Sequence, residues 1–398
     1  MNPETLIMTL LFWGAVLFIV YTYFGYPIII FLLAQLKPEA TYCTETFPSV
    51  TFLIAAYNEE LVIPQKIENT LQLDYPRDKL QIIVAADGSS DKTAELVRNF
   101  SDRGVELSYI PERGGKMAAI VRAMPLTRGE IVIFSDANNM YESQAVRILV
   151  APFCDSSIGL TTGAKLIIDD QRNLSSAEGL YWKYESWIKK NETILGTCTN
   201  SVGEIMAIRR ELFIPPVEKI INDDHYMVLD MIHRGYRVVY TPQARSFEYV
   251  SQTAKDEIVR RVRMNAGLYQ TIAMSGKLLP FNRPLLLWKI ISHKFFRAFV
   301  PFAMLIAFFS NLILVLMHNK QVNTSFWMVT LPFNQIFIIL QLFFYAVAIL
   351  GNFVKFHGLL GKIFYLPTYL VNSNLATFVG FHSFLTNKQL HVWERVRR

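Results

Sequence analysis

Long apolar runs without charge lie near both ends of the chain. Residues 6–35 contain no charged side chain, and about 20 apolar residues in a helix cross the hydrocarbon core of a bilayer. The run is longer than the apolar part of a cleaved signal peptide and follows Glu4 instead of a basic start. We therefore predict a retained anchor. Further spans are predicted at 298–317, 329–350 and 363–384, the last interrupted by polar residues.

Between these runs, short apolar segments alternate with polar turns and helical patterns. Residues 49–56, 80–87 and 130–134 each form a short β-rich run that ends in a polar turn, which is typical of buried strands. Helical patterns follow the first two. Strand, turn and helix in repetition predict an α/β domain with a mostly parallel sheet, in which ligands bind outside the carboxyl ends of the strands.

Three regions follow from this pattern: an anchor at 1–36, a domain at 37–282 and a C-terminal membrane part at 283–398. Basic residues follow the anchor, whereas only Glu4 precedes it, so the domain is expected on the cytoplasmic side of a cell membrane. Residues 283–297 mix apolar and basic side chains and predict an amphipathic helix on the inner leaflet.

The C-terminal tail creates a conflict in this topology. Residues 388–398 are strongly basic and are expected inside, but three spans after a cytoplasmic domain would place them outside. Either 363–384 is re-entrant or interfacial, or one of the other spans is assigned wrongly.

The charge is distributed unevenly. The 398 residues carry a net charge of +6, which by itself suggests a nucleic-acid partner. Residues 283–398 hold 11 Lys and Arg and one acid, so +10 belongs to that part and −4 to residues 1–282. The positive charge lies where the chain is most apolar, as in the loops beside membrane spans. We therefore expect membrane lipid, and no nucleic acid, as a partner.

Cysteine spacing and glycine motifs exclude several other classes. Cys43, Cys154 and Cys198 form no C-x-x-C pair and no disulfide framework, which predicts reduced thiols. The glycine motifs of dinucleotide and P-loop proteins are absent from the sequence, which argues against an oxidoreductase or a P-loop ATPase.

Polar motifs follow the predicted strands: Ala56-Tyr57-Asn58-Glu59, Asp87-Gly88-Ser89-Ser90-Asp91 and Asp136-Ala137-Asn138. With these motifs, and from Tyr23-Phe24-Gly25-Tyr26-Pro27 to Trp393-Glu394-Arg395, the chain resembles a membrane-anchored family 2 glycosyltransferase, related to exopolysaccharide-building and processive polysaccharide synthases. The resemblance implies a GT-A mixed sheet flanked by helices. It also implies an inverting, metal-dependent transfer of sugar from a nucleoside diphosphate sugar to a hydroxyl.

The resemblance assigns the first two motifs to the nucleotide. Ala56, Tyr57 and Glu59 would lie against the base, and Asp87 would accept a hydrogen bond from the uracil N–H, which suits an acceptor-only carboxylate. For Asp91 we favour a local role, as the cap of the following helix.

Basic residues are expected at the diphosphate. Lys116 follows two glycines at the start of a helix, where the backbone is able to approach a phosphate. Arg260 and Arg263 lie three residues apart on a predicted helix and would grip the diphosphate together. Attraction to anionic lipid is nearly as good an explanation for Arg261. Processive synthases carry Q-x-x-R-W here, and this chain lacks both the Gln and the Trp.

Asp136 and Asn138 are the metal candidates. Mg²⁺ or Mn²⁺ needs only one or two carboxylates in addition to diphosphate oxygens. The family pattern is D-x-D, and this chain has Asn138 at the second position. Asp136 is therefore the one anionic ligand of the motif.

Asp223 and Asp224 are the catalytic candidates. The attacking hydroxyl loses its proton during transfer, and the resemblance aligns Asp224 with the general base. Two acids that favour a helix N-terminus through its dipole are the alternative explanation. For the acceptor we single out Trp182, whose ring would stack on a sugar, and Gly203, where the backbone would approach the donor sugar.

The leading hypothesis is single sugar addition to a lipid-linked or glycan acceptor. A processive synthase that also exports its polymer is the alternative within the same class. A nucleotide-binding scaffold or transporter without catalysis is the alternative from another class, although the predicted spans are almost free of charge.

Overall fold

The computed structural model describes residues 3–43, 47–168, 176–216, 219–249, 254–317, 324–354 and 358–386; the basic tail lies outside these ranges. The chain divides into two compact units. We call the first the membrane unit, which contains Met1–Ile29, Arg260–Tyr269 and Ile290–Lys388. We call the second the sheet unit, which consists mainly of Ile30–Val259 with Gln270–Lys289.

The strands of the sheet unit are β1 Val50–Ala56, β2 Leu80–Asp87, β3 Val105–Ile110, β4 Ile131–Asp136, β5 Met140–Tyr141, β6 Ile158–Ile168, β7 Met206–Arg209 and β8 Arg237–Tyr249. They form one sheet in the order β3-β2-β1-β4-β7-β6-β8-β5. The strands β3, β2, β1 and β4 are parallel to one another, whereas β7 is antiparallel to both β4 and β6. The sheet is therefore mixed, with the predicted parallel strands forming one half.

The α-helices are α1 Pro3–Val20, α2 Tyr26–Ala34, α3 Ile63–Leu71, α4 Thr93–Arg98, α5 Lys116–Ala123, α6 Ala145–Val150, α7 Ser176–Ile194, α8 Asp223–His233, α9 Ala254–Ala273, α10 Ser275–Leu278, α11 Pro284–Ile290, α12 Phe296–Leu316, α13 Phe333–Phe353 and α14 Gly358–Leu385. Two π-helical segments, Tyr21–Gly25 and Ile291–Phe295, join α1 to α2 and α11 to α12.

The core of the sheet unit explains why the strands read as continuous apolar runs. Every residue of β1 is buried, since helices cover the parallel half of the sheet on its faces. Phe52 and Ile54 of β1 pack with Ile133 of β4 and Ile67 of α3 in one cluster. This packing fixes the strand ends, from which the polar loops extend.

Three helical stretches of the described residues are long and apolar enough to cross a membrane: Pro3–Ala34, Pro284–Leu316 and Phe333–Phe353. Their lengths indicate membrane association. Most of the predicted interfacial helix, 283–297, forms α11 and the π-helical segment after it, and it continues directly into α12; its place on the inner leaflet stays a prediction. Its polar residues Lys289 and His293 are fully buried instead of facing lipid headgroups.

The weakest predicted span, 363–384, forms most of α14. Its polar residues have partners within the membrane unit. Asn372 and Asn352 exchange amide hydrogen bonds of 2.7 and 3.3 Å between α14 and α13, and Asn374 Nδ2 donates to the Tyr23 hydroxyl at 3.0 Å. Such pairing offsets the cost of placing amides among apolar helices.

Helix α9 does not follow the predicted boundary at residue 282. Its segment Arg260–Tyr269 groups with the apolar helices, where the Tyr269 ring lies 5.0 Å from that of Phe381. The reason is that one face of α9 is apolar enough to pack within the membrane unit, which a boundary drawn from average polarity overlooks.

Candidate active site

Three predicted motifs meet at one edge of the sheet. The register pairs Ala56 with Ala86 and Ala55 with Asp136, so β1, β2 and β4 end side by side. Because these strands are parallel, the loops after them extend from the same edge. The structure therefore brings the three motifs together at the edge where the strand pattern predicts them.

The loop after β1 is held by the loop after β2. Asn58 has a positive φ of 52°, and its side-chain oxygen accepts from the Ser90 N–H at 2.8 Å. Glu59 is buried, and its N–H donates to Thr93 Oγ1 at 2.8 Å. The guanidinium of Arg113 lies 3.7 Å from the ring centroid of Tyr57. This stacked pair presents a flat surface of the kind that a nucleobase requires.

Asp87 has a structural task that the sequence did not reveal. Its two carboxylate oxygens accept hydrogen bonds from the backbone N–H groups of Gly114 and Gly115, at 2.9 and 2.7 Å. Gly115 has φ of 94°, which favours glycine, and Lys116 starts α5 directly after it. Asp87 therefore fixes the turn that places Lys116; its contact with a base stays a prediction.

Asp91 contacts the start of α4, as we expect, although the N-cap residue of that helix is Lys92. Its Oδ1 accepts from the N–H of Thr93, the first residue of α4, at 2.9 Å. Its Oδ2 accepts from the Glu60 N–H at 3.1 Å. Both bonds are local to the loops, so the carboxylate links the first loop to the start of the helix.

Lys116 brings the metal candidate and the catalytic pair together. Its Nζ lies 2.6 Å from Asp136 Oδ1 and 4.0 Å from Asp223 Oδ2. Burial lowers the pKa of Lys116, but the carboxylates of Asp136, Asp223 and Asp224 outweigh burial and raise the pKa above its usual value. The ammonium is therefore a permanent cation among these three acids.

Asp224 lies in the first turn of α8, beside Gly203. A Cβ added at Gly203 would be 2.9 Å from the Cβ of Asp224, so only glycine allows the backbone to approach this closely. The N–H of His225 donates to Asp224 Oδ1 at 2.7 Å. Gly203 thus acts on the position of the acid, and its predicted contact with the donor sugar stays a prediction.

A buried ion-pair network that the sequence analysis missed lies beside Asn138. Lys165 of β6 forms ion pairs with Glu204, at 2.8 Å, and with Glu248 of β8. Asn138 Nδ2 donates to Glu248 Oε1 at 3.3 Å. The available signal was one charged residue, Lys165, inside the otherwise apolar run 163–168; the strand around Glu248 already contains polar residues.

Lys66 contacts the residue that directly follows the Asp136-Ala137-Asn138 motif. This fully buried lysine on α3 donates to the Asn139 carbonyl oxygen at 2.5 Å. Its Nζ lies 4.5 Å from the ring centroid of Tyr141. Burial lowers the pKa of Lys66 to about 7, against the opposite effect of Asp136 and Glu204. An ordinary helix pattern gave no sign of this role.

Two further groups of predicted residues are Trp182 on α7, and Arg260 with Arg263 on α9. Trp182 of α7 packs against the core, with Lys165 Nζ 5.9 Å from its ring centroid; its stacking on an acceptor stays a prediction. Arg260 and Arg263 lie on α9 in the membrane unit, where Arg261 stands 5.1 Å from the ring centroid of Tyr369. Their contact with a diphosphate also stays a prediction.

The oxygen atoms at the end of β4 fit a hard divalent cation. Asn138 Oδ1 is buried and accepts no hydrogen bond from the described residues, and Asp136 supplies a carboxylate two residues earlier. Mg²⁺ and Mn²⁺ prefer such oxygen ligands and complete their shells with phosphate and water. Within the described ranges, no cluster of three or more His, Cys, Asp or Glu side chains suits a metal. The donor set is therefore small.

The mixed sheet and its flanking helices resemble the GT-A fold. The structure is similar to that of the mannosyltransferase PcManGT from Pyrobaculum calidifontis in complex with GDP-Man and Mn²⁺. The TM-score is 0.70 and the identity 19%, over 94% of this chain and 99% of that chain. Residues 51–214 match the model of Glycosyl transferase family 2. This part of the chain thus resembles a family 2 glycosyltransferase domain.

Parts of curated proteins are also similar to this chain. The chain is 30% identical over 246 residues to the probable glycosyltransferase YdaM of Bacillus subtilis (strain 168), over 55% of each chain. It is 27% identical over 247 residues to poly-beta-1,6-N-acetyl-D-glucosamine synthase of Staphylococcus aureus (strain COL), over 59% of this chain and 58% of the relative. The matched region therefore spans little more than half the length of these relatives.

Proposed function

We propose that the protein is an inverting glycosyltransferase, which moves a sugar from a nucleoside diphosphate sugar to a lipid-linked or glycan acceptor. The observation that carries this proposal is the contact of Lys116 with both Asp136 and Asp223 at the carboxyl edge of the parallel strands. One cation and several acids at the end of parallel strands suit the binding and departure of a diphosphate.

In this mechanism, Asp224 accepts the proton of the acceptor hydroxyl as its oxygen attacks the anomeric carbon. Attack on the face opposite the departing diphosphate inverts the configuration. Lys116 stabilises the negative charge of that leaving group. Mg²⁺ or Mn²⁺ held by Asp136 and Asn138 would supply further positive charge at the diphosphate. Tyr57, beside Arg113, would hold the base.

We place this reaction at the cytoplasmic face of the cell membrane, in the synthesis of an exopolysaccharide or another cell-surface glycan. The three long apolar helices and the excess of basic residues beside them support a membrane-bound enzyme with this orientation. The name of the Staphylococcus aureus relative supports a polysaccharide or its lipid-linked precursor as acceptor.

A processive synthase is the second candidate, because the same relative is named as a synthase of a polymer. The motif Arg260-x-x-Arg263-Met264 favours single addition, since it lacks the tryptophan that the resemblance associates with a growing chain. The length of the product made from one acceptor decides between the two.

A donor screen tests the proposal. The full-length protein in detergent is heated with individual UDP- and GDP-sugars, with and without Mn²⁺, and its unfolding temperature is measured. We expect one sugar donor to stabilise the protein more with Mn²⁺ than without, and then to release nucleoside diphosphate when membrane extract is added. Stabilisation without release by any donor would instead favour a scaffold that binds nucleotides without catalysis.

A further inference from the structure

The orientation of the Asn138 amide is fixed by one neighbour. Its nitrogen donates to Glu248 Oε1 at 3.3 Å, and a carboxylate only accepts hydrogen bonds. The amide oxygen therefore faces away from Glu248. It is buried and receives no hydrogen bond from the part of the chain that the structure describes. A buried acceptor without a donor costs free energy unless something binds it.

Glu248 is itself held rigidly. The sheet register pairs Lys165 with Ser246 and Ile167 with Glu248, so Lys165 and Glu248 are diagonal neighbours on one face of β6 and β8. Lys165 is 5% exposed and Glu248 is 4% exposed. Burial on two paired strands leaves the Glu248 carboxylate little freedom to turn away from Asn138.

The charges around this network explain the amide at position 138. Lys165 is an ion-pair partner of both Glu204 and Glu248, so these three residues already carry one net negative charge when ionised. An aspartate at position 138 would put a further carboxylate in contact with Glu248. Like charges in a buried setting repel strongly. An amide avoids this repulsion and keeps an oxygen for the cation.

We propose that Glu248 and Lys165 are positioning residues, which hold the Asn138 amide with its oxygen directed to the divalent cation. The inference rests on the proposed function, since it assumes that Mg²⁺ or Mn²⁺ binds with the nucleotide. In this arrangement Glu248 compensates for the missing second aspartate of the motif. Residues 138 and 248 therefore act as a pair, and a change at one alters the effect of a change at the other.

The test measures Mn²⁺ affinity of the full-length protein in detergent, by the electron paramagnetic resonance signal of free Mn²⁺, in saturating UDP and in parallel in GDP. Glu248→Ala leaves the amide without its anchor, and we expect Mn²⁺ to bind at least about tenfold more weakly, as for other residues that support metal ligands. Glu248→Gln keeps an oxygen that accepts from Asn138, and we expect affinity within about threefold of wild type on the same reasoning.

The paired substitutions are decisive. Asn138→Asp adds an anionic ligand but faces Glu248, so we expect no gain in Mn²⁺ affinity. Combined with Glu248→Gln, the new aspartate receives a hydrogen bond from the glutamine amide, and we expect about tenfold tighter binding than with Asn138→Asp alone, by analogy with supporting residues elsewhere. Equal affinity of the single and the double variant would overturn the inference.

Controls separate the possible failures. Glu106→Gln removes a surface ion pair with Arg128 and should leave Mn²⁺ affinity unchanged. Unfolding temperatures without metal report whether Glu248→Ala only damages the fold; in that case the Asn138→Asp pair decides alone. If the wild type binds no Mn²⁺ with either nucleotide, the proposed metal and this inference both fail. If the wild type binds and Glu248→Ala, still folded, binds equally well, only the inference fails.

Discussion

Lys116 Nζ lies 2.6 Å from Asp136 Oδ1, so the ammonium occupies a carboxylate that the proposed divalent cation would also need. With one carboxylate in the donor set, the diphosphate has to supply much of the negative charge that attracts the metal. We infer that the binding of nucleotide and metal would be coupled: a bound diphosphate would attract Lys116 and leave Asp136 available to the cation.

Lys116→Met tests this competition. Without the ammonium, we expect Mn²⁺ alone to bind several-fold more tightly, because Asp136 loses its counterion, whereas UDP or GDP binds roughly tenfold more weakly for want of a charge-assisted contact. Calorimetry of Mn²⁺ and of nucleotide separately provides both numbers. The exposed Lys92, changed to Met, is the matched control. A loss of affinity for both ligands would contradict the competition.

Asp224→Asn tests the general base. The amide keeps the shape of the side chain but does not accept a proton, so we expect sugar transfer to fall by about 10²- to 10⁴-fold. Nucleotide affinity, from the same thermal-shift titration, should stay close to wild type. Asp230→Asn on the same helix removes the 3.1 Å contact with Arg234 and serves as control. Transfer at a near wild-type rate by Asp224→Asn would refute the assignment.

Gly203→Ala tests how closely Asp224 has to be placed. The added Cβ would stand 2.9 Å from that of Asp224 and push the acid aside. A shift of this kind lowers the rate by roughly 10- to 100-fold, while donor binding should persist. Gly276 has open space around it, and Gly276→Ala controls for the loss of backbone freedom. An unchanged turnover number in Gly203→Ala would show that the approach of the two residues does not matter.

Lys66 predicts a pH-dependent stability. Its pKa is about 7 in the folded chain against an ordinary 10.5, so the unfolded chain binds more protons between these values and stability rises with pH in that window. Lys66→Met lacks this dependence. The stability of the wild type relative to Lys66→Met should therefore improve by roughly 2 kcal/mol from pH 7 to pH 9, since one pKa unit corresponds to about 1.36 kcal/mol.

Urea unfolding of both proteins at the two pH values measures this change. Lys183→Met, at an exposed lysine, shows how much of the change is general. A wild type that loses stability relative to Lys66→Met as pH rises would reverse the sign and exclude a lowered pKa of Lys66 in the folded chain.

Much of the site was predictable because local sequence determined it. The polar motifs follow directly on apolar strands, and parallel strands place their carboxyl ends at one edge, so Asp87 and Asp136 had to lie near each other. Lys116 could be placed because a glycine turn and a helix start are local signals. The apolar spans followed from length alone. The partners of Lys289 inside the protein, which include the Glu192 carbonyl at 3.0 Å, could not be seen in the segment 283–297.

The sequence by itself therefore determined the local elements: strands, turns, helix starts and spans, each set by neighbours within a few residues. Only the tertiary structure decided which distant residues meet. Asp87 lies 28 positions from Gly115 in the chain, and Asn138 lies 110 positions from Glu248. Such contacts depend on strand order and register, since a slip of one residue would turn Glu248 to the other face of the sheet.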